Sequence, residues 1–337
     1  MKPAPELQAF LIDHGLAKPH TPVRWSVLNG GVSSDIWRAD LPERSVCIKR
    51  ALPKLKVQAD WFAPIERNAS EAQWLRFANQ VMPSAVPEVL AHDATAGLFA
   101  MRFLPPERYP VWKTQLMQEQ VDLRTAQAVA KLIVAVHNAS AGRAALAAQF
   151  ETRTQFFALR IEPYLLATAQ AHQDLAAPLH ALACSTGLAQ IALVHGDVSP
   201  KNILVGPDGP VLLDAECAWY GEPAFDLAFC LNHLLLKCLV HPHLTSAYMD
   251  AYGVLSATYL QAMRWEDART LEVRAAALLP ALLLARVDGK SPVEYLSYER
   301  QRELVRQVAR PLIAAAPPSL SQLAQRWHSA CAALMPS

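Results

Sequence analysis

The sequence predicts an α+β fold of two lobes: a small N-terminal antiparallel β-sheet carrying one main helix, and a larger, mostly α-helical C-terminal lobe. Three observations predict it. Up to Phe103 the chain holds short segments rich in β-branched and aromatic residues, separated by turn residues, which is strand patterning. From Gln115 onward, long segments with helical spacing of apolar residues take over. Pro105 and Pro106 stand between the two regimes, where a prolyl pair ends one element and blocks continuation of the next. The lobes are therefore placed at residues 1–105 and 106–337, since 337 residues exceed the ~100–200 of a typical single domain.

In chain order, strands are predicted at Arg24 to Leu28, Asp35 to Ala39 and Ser45 to Arg50. Asn29-Gly30 between the first two supplies the positive φ of a tight hairpin, so these two pair antiparallel. A helix follows at Pro64 to Gln80, with Pro64 near its start and Trp74, Phe77 and Ala78 on one apolar face. Strands return at Glu88 to His92 and Leu98 to Phe103. The second region reads as helices at Val121 to Asn138, Thr152 to Gln173, Pro223 to Val240, His243 to Met263, Trp265 to Arg286, Pro292 to Ala316 and Leu320 to Leu334. They are interrupted by short apolar strands at Ile191 to Val194, Ile203 to Val205 and Val211 to Leu213.

Lys plus Arg number 31 and Asp plus Glu 30, so the net charge of +1 argues against nucleic acid or an anionic membrane and for a small-molecule partner. The apolar stretches Leu227 to Val240 and Ala275 to Val287 are each shorter than the ~18 residues of a membrane span, which predicts buried helices. Residues 1–20 lack a secretory pattern, and the expected location is the cytoplasm. The six cysteines show no CxxC spacing and read as reduced thiols. Oligomeric state is left open.

The chemistry concentrates at His195-Gly196-Asp197-Val198-Ser199-Pro200-Lys201-Asn202, set between two apolar strands. A carboxylate followed five residues later by an amide, with Asp214 delivered by the next strand, is a set suited to phosphoryl transfer. Asp197 fits the role of orienting an acceptor hydroxyl and taking its proton. Asn202 and Asp214 are hard oxygen donors for Mg2+, and Glu216, two residues on in an extended segment, is a candidate further ligand. Upstream, the hairpin Gly30-Gly31-Val32-Ser33-Ser34 can lay backbone N–H groups and hydroxyls over phosphate oxygens. Lys49 on the third strand can hold phosphates while Glu71 on the following helix orients it, with Glu66 the competing choice. His195 is either a metal ligand or base, or a residue that packs and hydrogen-bonds within the loop. Lys201 faces either a phosphate or solvent. Asp226 either caps a helix or braces the loop.

On these residues the chain resembles the aminoglycoside phosphotransferase and choline kinase-like superfamily, over about residues 25–240. The resemblance implies a protein-kinase-like bilobal fold, ATP between the lobes, Mg2+, and transfer to a small-molecule hydroxyl. It also implies that adenine is held by the linker after the fifth strand, here Met101, Arg102, Phe103 and Leu104. Two stretches are similar to methylthioribose kinases: Ile48-Lys49-Arg50-Ala51-Leu52-Pro53 with Trp61 and Arg67 downstream, and Leu213-Asp214-Ala215-Glu216-Cys217-Ala218-Trp219-Tyr220-Gly221. Two positions depart from that family: Asn202 stands where a serine is usual, and Ala285-Arg286 where two arginines are. The expected acceptor is a sugar-like or amino-alcohol metabolite, with an aminoglycoside, or a pseudokinase scaffold without turnover, as alternatives. Trp61 and Trp219 either wall the substrate site or pack in the core. Arg286, opening the segment through Pro292, lines the acceptor pocket or belongs to a surface connection.

Overall fold

A computed structural model describes residues 4–28, 34–54 and 64–332. Helix α1 (Pro5–Asp13) precedes strands β1 (Arg24–Val27), β2 (Ser34–Asp40) and β3 (Ser45–Ala51), helix α2 (Arg67–Val81) and strands β4 (Val89–Asp93) and β5 (Leu98–Arg102). The strands form one antiparallel sheet in the order β1-β2-β3-β5-β4. Side chains alternate across β3. Val46 and Ile48 pack toward Leu7, Phe10 and Leu11 of α1, while Lys49 is buried on the other face with Glu71 of α2. Helix α1 was not predicted, yet Pro5 at its first turn and Leu7, Phe10 and Leu11 at i, i+3 and i+4 are its signature.

The remainder is mostly helical. Helices α3 (Trp112–Met117), α4 (Leu123–Ser140), α5 (Ala144–Gln149), α6 (Arg153–Phe156), α7 (Ala167–Ala171) and α8 (Ala176–Leu188) lead to strand β6 (Ala192–Val194). The hairpin β7 (Ile203–Gly206) and β8 (Gly209–Leu212) follows, then β9 (Trp219–Gly221), which pairs antiparallel with β6. Helices α9 (Pro223–Val240), α10 (Thr245–Ala262), α11 (Ala268–Asp288), α12 (Glu299–Ala314) and α13 (Leu320–Ala332) complete the chain. Helix α9 is long and apolar enough to cross a membrane, but 94% of it is buried at the centre of the bundle, the core-helix reading made from its sequence. Each large apolar side chain it removes from water contributes ~1.5–3 kcal/mol.

Local chemistry sets several boundaries. Asp122 and Asp267 accept hydrogen bonds from the backbone N–H groups of Arg124 (2.8 Å) and Thr270 (3.1 Å), starting α4 and α11 two or three residues later than predicted. The helix predicted from Pro292 starts only at Glu299. The Gln301 side chain there accepts from the Tyr298 N–H (3.2 Å) in a capping box, and the chain before it turns at Glu294 and Tyr295. The single helix predicted over Thr152 to Gln173 is three pieces. Phe157–Leu166 runs as a π-helix around Pro163, which cannot donate a backbone hydrogen bond and crowds the preceding turn. Cysteines 47, 217, 230, 238 and 331 are free and buried, and Cys184 is free and exposed.

Candidate active site

Strand β6 ends at Val194 and hands the chain to the loop at the floor of the site. The loop is held from below by Asp226 of α9, which is fully buried. Its carboxylate accepts from the backbone N–H of His195 (2.7 Å) and Gly196 (2.8 Å), and from His137 Nε2 (3.2 Å) of α4. Of the two readings of Asp226, the structure favours bracing, because Glu222 is the α9 cap and accepts from the Ala224 N–H (3.1 Å). Gly196 has φ +77°, and a Cβ there would stand 2.7 Å from the Cys217 carbonyl oxygen, so both conformation and space require glycine.

His195 is a structural member of the loop. Its Nε2–H donates to the Leu213 carbonyl (3.0 Å), its Nδ1 accepts from the Asp197 N–H (3.1 Å), and its ring meets Trp74 edge-on at 4.8 Å. That pattern fits one neutral tautomer, and burial lowers its pKa against the pull of Asp226 and Asp197.

Asp197 is buried but not isolated. Arg160 Nη2 lies 2.9 Å and Lys201 Nζ 3.2 Å from its Oδ2, while Oδ1 accepts no hydrogen bond from the described residues. Burial pushes this carboxyl up, and Lys201 and Arg160 more than offset it, holding the group well below the usual carboxylate range. Arg160 also donates from Nε to the Gly196 carbonyl (2.6 Å), so one guanidinium fixes both the loop backbone and its carboxylate. Sequence reading missed Arg160. Its signal is a lone cation inside the apolar run Leu159-Arg160-Ile161, just before Pro163. Lys201 is half exposed and turned to Asp197, which answers neither reading of it fully.

Across from the loop, Lys49 Nζ donates to Glu71 Oε2 at 2.7 Å and to Asp214 Oδ1. Lys49 and Glu71 are buried, and Glu66 lies outside this contact. Burial opposes the charge on Lys49, but Asp214 and Glu71 outweigh it and keep the ammonium protonated. Glu71 is raised by burial and by sharing that one cation with Asp214. Asp214 adopts φ +67°, a left-handed conformation costing ~1–3 kcal/mol in a non-glycine residue, and such strain clusters at functional sites. Asn202 Nδ2 donates to the Asp197 carbonyl (3.1 Å), which turns its amide oxygen away from that contact. Glu216, the candidate third ligand, is engaged elsewhere: Arg67 Nε lies 3.1 Å from its Oε2, and the same guanidinium donates to the Pro64 (2.7 Å) and Leu52 (2.6 Å) carbonyls.

Met101 and Arg102 still belong to β5, paired with Cys47 and Val46, and the Arg102 N–H donates to the Glu88 carbonyl at 2.9 Å. Phe103 and Leu104 lie beyond the sheet. Arg38 stacks on the Phe103 ring at 4.3 Å, and Leu104 packs with Leu204 and Leu213, an apolar floor that sequence reading did not assign. Ser34 is buried at the start of β2, opposite Ala51. Gly30, Gly31, Ser33 and Trp61 lie outside the described residues. Trp219 is not a substrate wall. It is 1% exposed, stacked on Phe156 at 4.3 Å, and its indole fills the space where a side chain at position 221 would be. Arg286 lines a small cavity with Lys113, Lys201, His233, Lys237, Glu294 and Tyr295.

Residues 24–266 match the model of the APH phosphotransferase enzyme family. The chain belongs to that family. Among curated proteins, this phosphotransferase-family chain is 27% identical over 219 residues to methylthioribose kinase 1 of Oryza sativa subsp. japonica, covering 57% of this chain and 51% of that protein. It is 27% identical over 263 residues to methylthioribose kinase of Yersinia pseudotuberculosis, covering 70% and 62% respectively. The chain thus spans about half to three-fifths of the length of these relatives. A choline/ethanolamine kinase family protein from Mesorhizobium loti shares the protein-kinase-like fold at a TM-score of 0.55 with 17% identity, over 96% of this chain and 98% of that one. The choline kinase of Cryptosporidium parvum does so at 0.53 with 11% identity, over 90% and 96%.

Proposed function

We propose that the protein transfers the γ-phosphoryl group of ATP to a hydroxyl of a small, sugar-like molecule. One observation carries the reading: Asp197 is ionised and clamped through Oδ2, with Oδ1 left for an acceptor, in one site with the Lys49–Glu71–Asp214 cluster. ATP is the expected donor, with Lys49 reaching its phosphates and the chain from Met101 to Leu104, over Leu204 and Leu213, receiving its base. The residues fit Mg2+: the Asn202 amide oxygen and the second oxygen of Asp214 are hard donors, and this ion needs few protein ligands beside phosphate and water. Among the described residues no three His, Cys, Asp or Glu side chains form a ready metal cluster, so the ion would arrive with the nucleotide. Bound together, the pair supplies the phosphoryl group and neutralises its charge.

The chain's own residues then position the reactants. The acceptor O–H donates to Asp197 Oδ1, which aims the oxygen at the phosphorus. As the new P–O bond forms and the bond to ADP breaks, the hydroxyl proton passes to Oδ1 and then to solvent. A carboxylate held so acidic takes this proton late, which suits a loose transition state in which positioning outweighs basicity. Arg160 keeps the carboxylate oriented and ionised throughout. The similarity to methylthioribose kinases supports a sugar-like acceptor. The cations beside Asp197 weigh against an amino alcohol or an aminoglycoside, which would meet like charge.

A coupled ADP-release screen of the purified protein with ATP and Mg2+, over sugars, methylthioribose, amino alcohols and aminoglycosides, tests the proposal. Acceptor-dependent ADP release with a sugar-like compound is expected. Nucleotide binding without release for any compound would leave the scaffold alternative standing instead.

A further inference from the structure

The cavity lined by Arg286 lies directly beside Asp197, because Lys201 borders both: its side chain lines the cavity and its Nζ sits 3.2 Å from Asp197 Oδ2. The space is about 30 Å³, room for one or two water-sized groups rather than a whole substrate. Its lining is unusual in charge. Lys113 is paired with Glu294, the only carboxylate lining it among the described residues, and Lys201 is shared with Asp197. Lys237 and Arg286 have no carboxylate partner among the described residues. Lys237 is 1% exposed, with Nζ 3.4 Å from the centre of the Tyr295 ring. Arg286 donates only to neutral oxygens, those of Tyr164 (3.0 Å) and Ser291 (2.9 Å), and its Nε is buried without a partner. His233, 6% exposed, accepts from or donates to Tyr295 through Nδ1 (3.3 Å), and its Nε2 is likewise buried and unpartnered.

A folded chain does not place a buried lysine, a half-buried arginine and two unpartnered nitrogens around one small space, with the Glu294 carboxylate there already paired to Lys113, without cost. An anion removes that cost at a stroke, since its oxygens accept from all of them. We propose that the acceptor carries an acidic group, a carboxylate or a phosphate, that docks in this cavity against Lys237, Arg286 and His233 while its hydroxyl faces Asp197. The word acceptor rests on the phosphoryl-transfer reading above; the anion site rests on the cavity alone. Burial, with Lys113 and Arg286 nearby, pushes the Lys237 ammonium down to about 7 against the pull of Glu294, and a bound anion would restore it.

Two measurements separate the two readings. Without nucleotide, the melting temperature of the protein is followed in sodium phosphate and in sodium glycolate against sodium chloride of equal ionic strength. A rise of about 2–4 °C with one of the two is expected and identifies the anion, and Lys237→Met and Arg286→Gln each remove it. With ATP and Mg2+, ADP release is compared for ribose, ribonate, ribose 5-phosphate and glucosamine. The acidic members are expected to exceed ribose about tenfold or more in kcat/KM, glucosamine to be poorest, and Lys237→Met to bring acidic and neutral acceptors close to parity. Absence of an anion-specific shift, with ribose or glucosamine used as well as the acidic compounds, overturns the proposal and leaves phosphoryl transfer intact. A Lys237-dependent shift without turnover of any acceptor keeps the anion site and overturns phosphoryl transfer. Lys237→Met retains the aliphatic stem and removes a buried charge, so it folds, and Arg286→Gln provides the independent check.

Discussion

Asp197 and Lys237 are both buried charges, and Lys201 borders the surroundings of each, yet the protein treats them in opposite ways. Asp197 sits in a loop whose backbone and charged groups are braced within the chain: Asp226 on the His195 and Gly196 amides, Arg160 on Gly196 and on Asp197 itself, Leu213 on His195. Lys237 has an aromatic face, like-charged neighbours and the pull of Glu294, which is itself paired with Lys113. A braced network fixes geometry before any ligand arrives, with Asp197 Oδ1 left open toward it. An unsatisfied cluster leaves its energy to be recovered on binding. The contrast separates the part of the site that performs the reaction from the part that selects what reacts.

If that contrast is right, substitutions on the loop side should damage the rate or the fold whatever the acceptor. Asp214→Ala is expected to act most strongly, lowering kcat/KM about 10³-fold and weakening Mg2+-nucleotide binding in calorimetric titration, because it removes the oxygen donors opposite Asn202 and one partner of Lys49. Asp226→Ala should follow, at about 3 kcal/mol of stability by urea unfolding, since two buried loop N–H groups and His137 lose their acceptor together. Equal stability of this variant would mean the loop is not braced from below. Arg160→Met should lower kcat about 10- to 100-fold with nucleotide affinity retained. Its pH profile is the more telling readout. Asp197 in the unaltered protein stays ionised far into acid, so its activity carries no acid limb from this group, whereas loss of the guanidinium moves that limb up toward the ordinary range near ~3.9.

The smallest effect expected comes from the cavity side. Lys237 is pushed down to about 7 in the folded protein, so its contribution to stability is present above the unfolded lysine value near 10.5 and is lost as pH falls through about 7. Lys237→Met should therefore raise the melting temperature relative to the parent protein at pH 6, with the difference shrinking toward pH 10. The charged and titratable groups lining the cavity with this ammonium are Lys113, Lys201, Arg286, Glu294, His233 and Tyr295, and among the described residues none supplies a second carboxylate. A difference independent of pH would mean that Lys237 is not buried as a charge.

The same contrast explains what the sequence made legible. Loop chemistry is written locally: His195 to Asn202 and Asp214 lie within 20 positions of one another between apolar strands, and the five-stranded sheet follows from short β-rich segments with turns between them. Lys49 and Glu71 meet because a strand and the next helix bring them together. The acceptor cavity draws instead on Lys113, Lys201, Lys237 and Arg286 from four separate elements, and no pattern in the chain marks them as neighbours. Arg160 was hidden because Pro163 turns a predicted α-helix into a π-helix, which alters where each side chain points. Trp219 was left undecided for the converse reason: its closeness to Asp214 in sequence does not reveal that β9 carries it into the core.

The proposed transfer requires Asp197 to act on the acceptor rather than on the nucleotide, and Asp197→Asn is the decisive variant. ADP release with the best acceptor and nucleotide affinity should be measured on the same preparations. Loss of turnover by about 10³-fold with nucleotide affinity unchanged is the predicted result. Turnover within a few-fold of the parent protein, or loss of nucleotide binding together with activity, would contradict it.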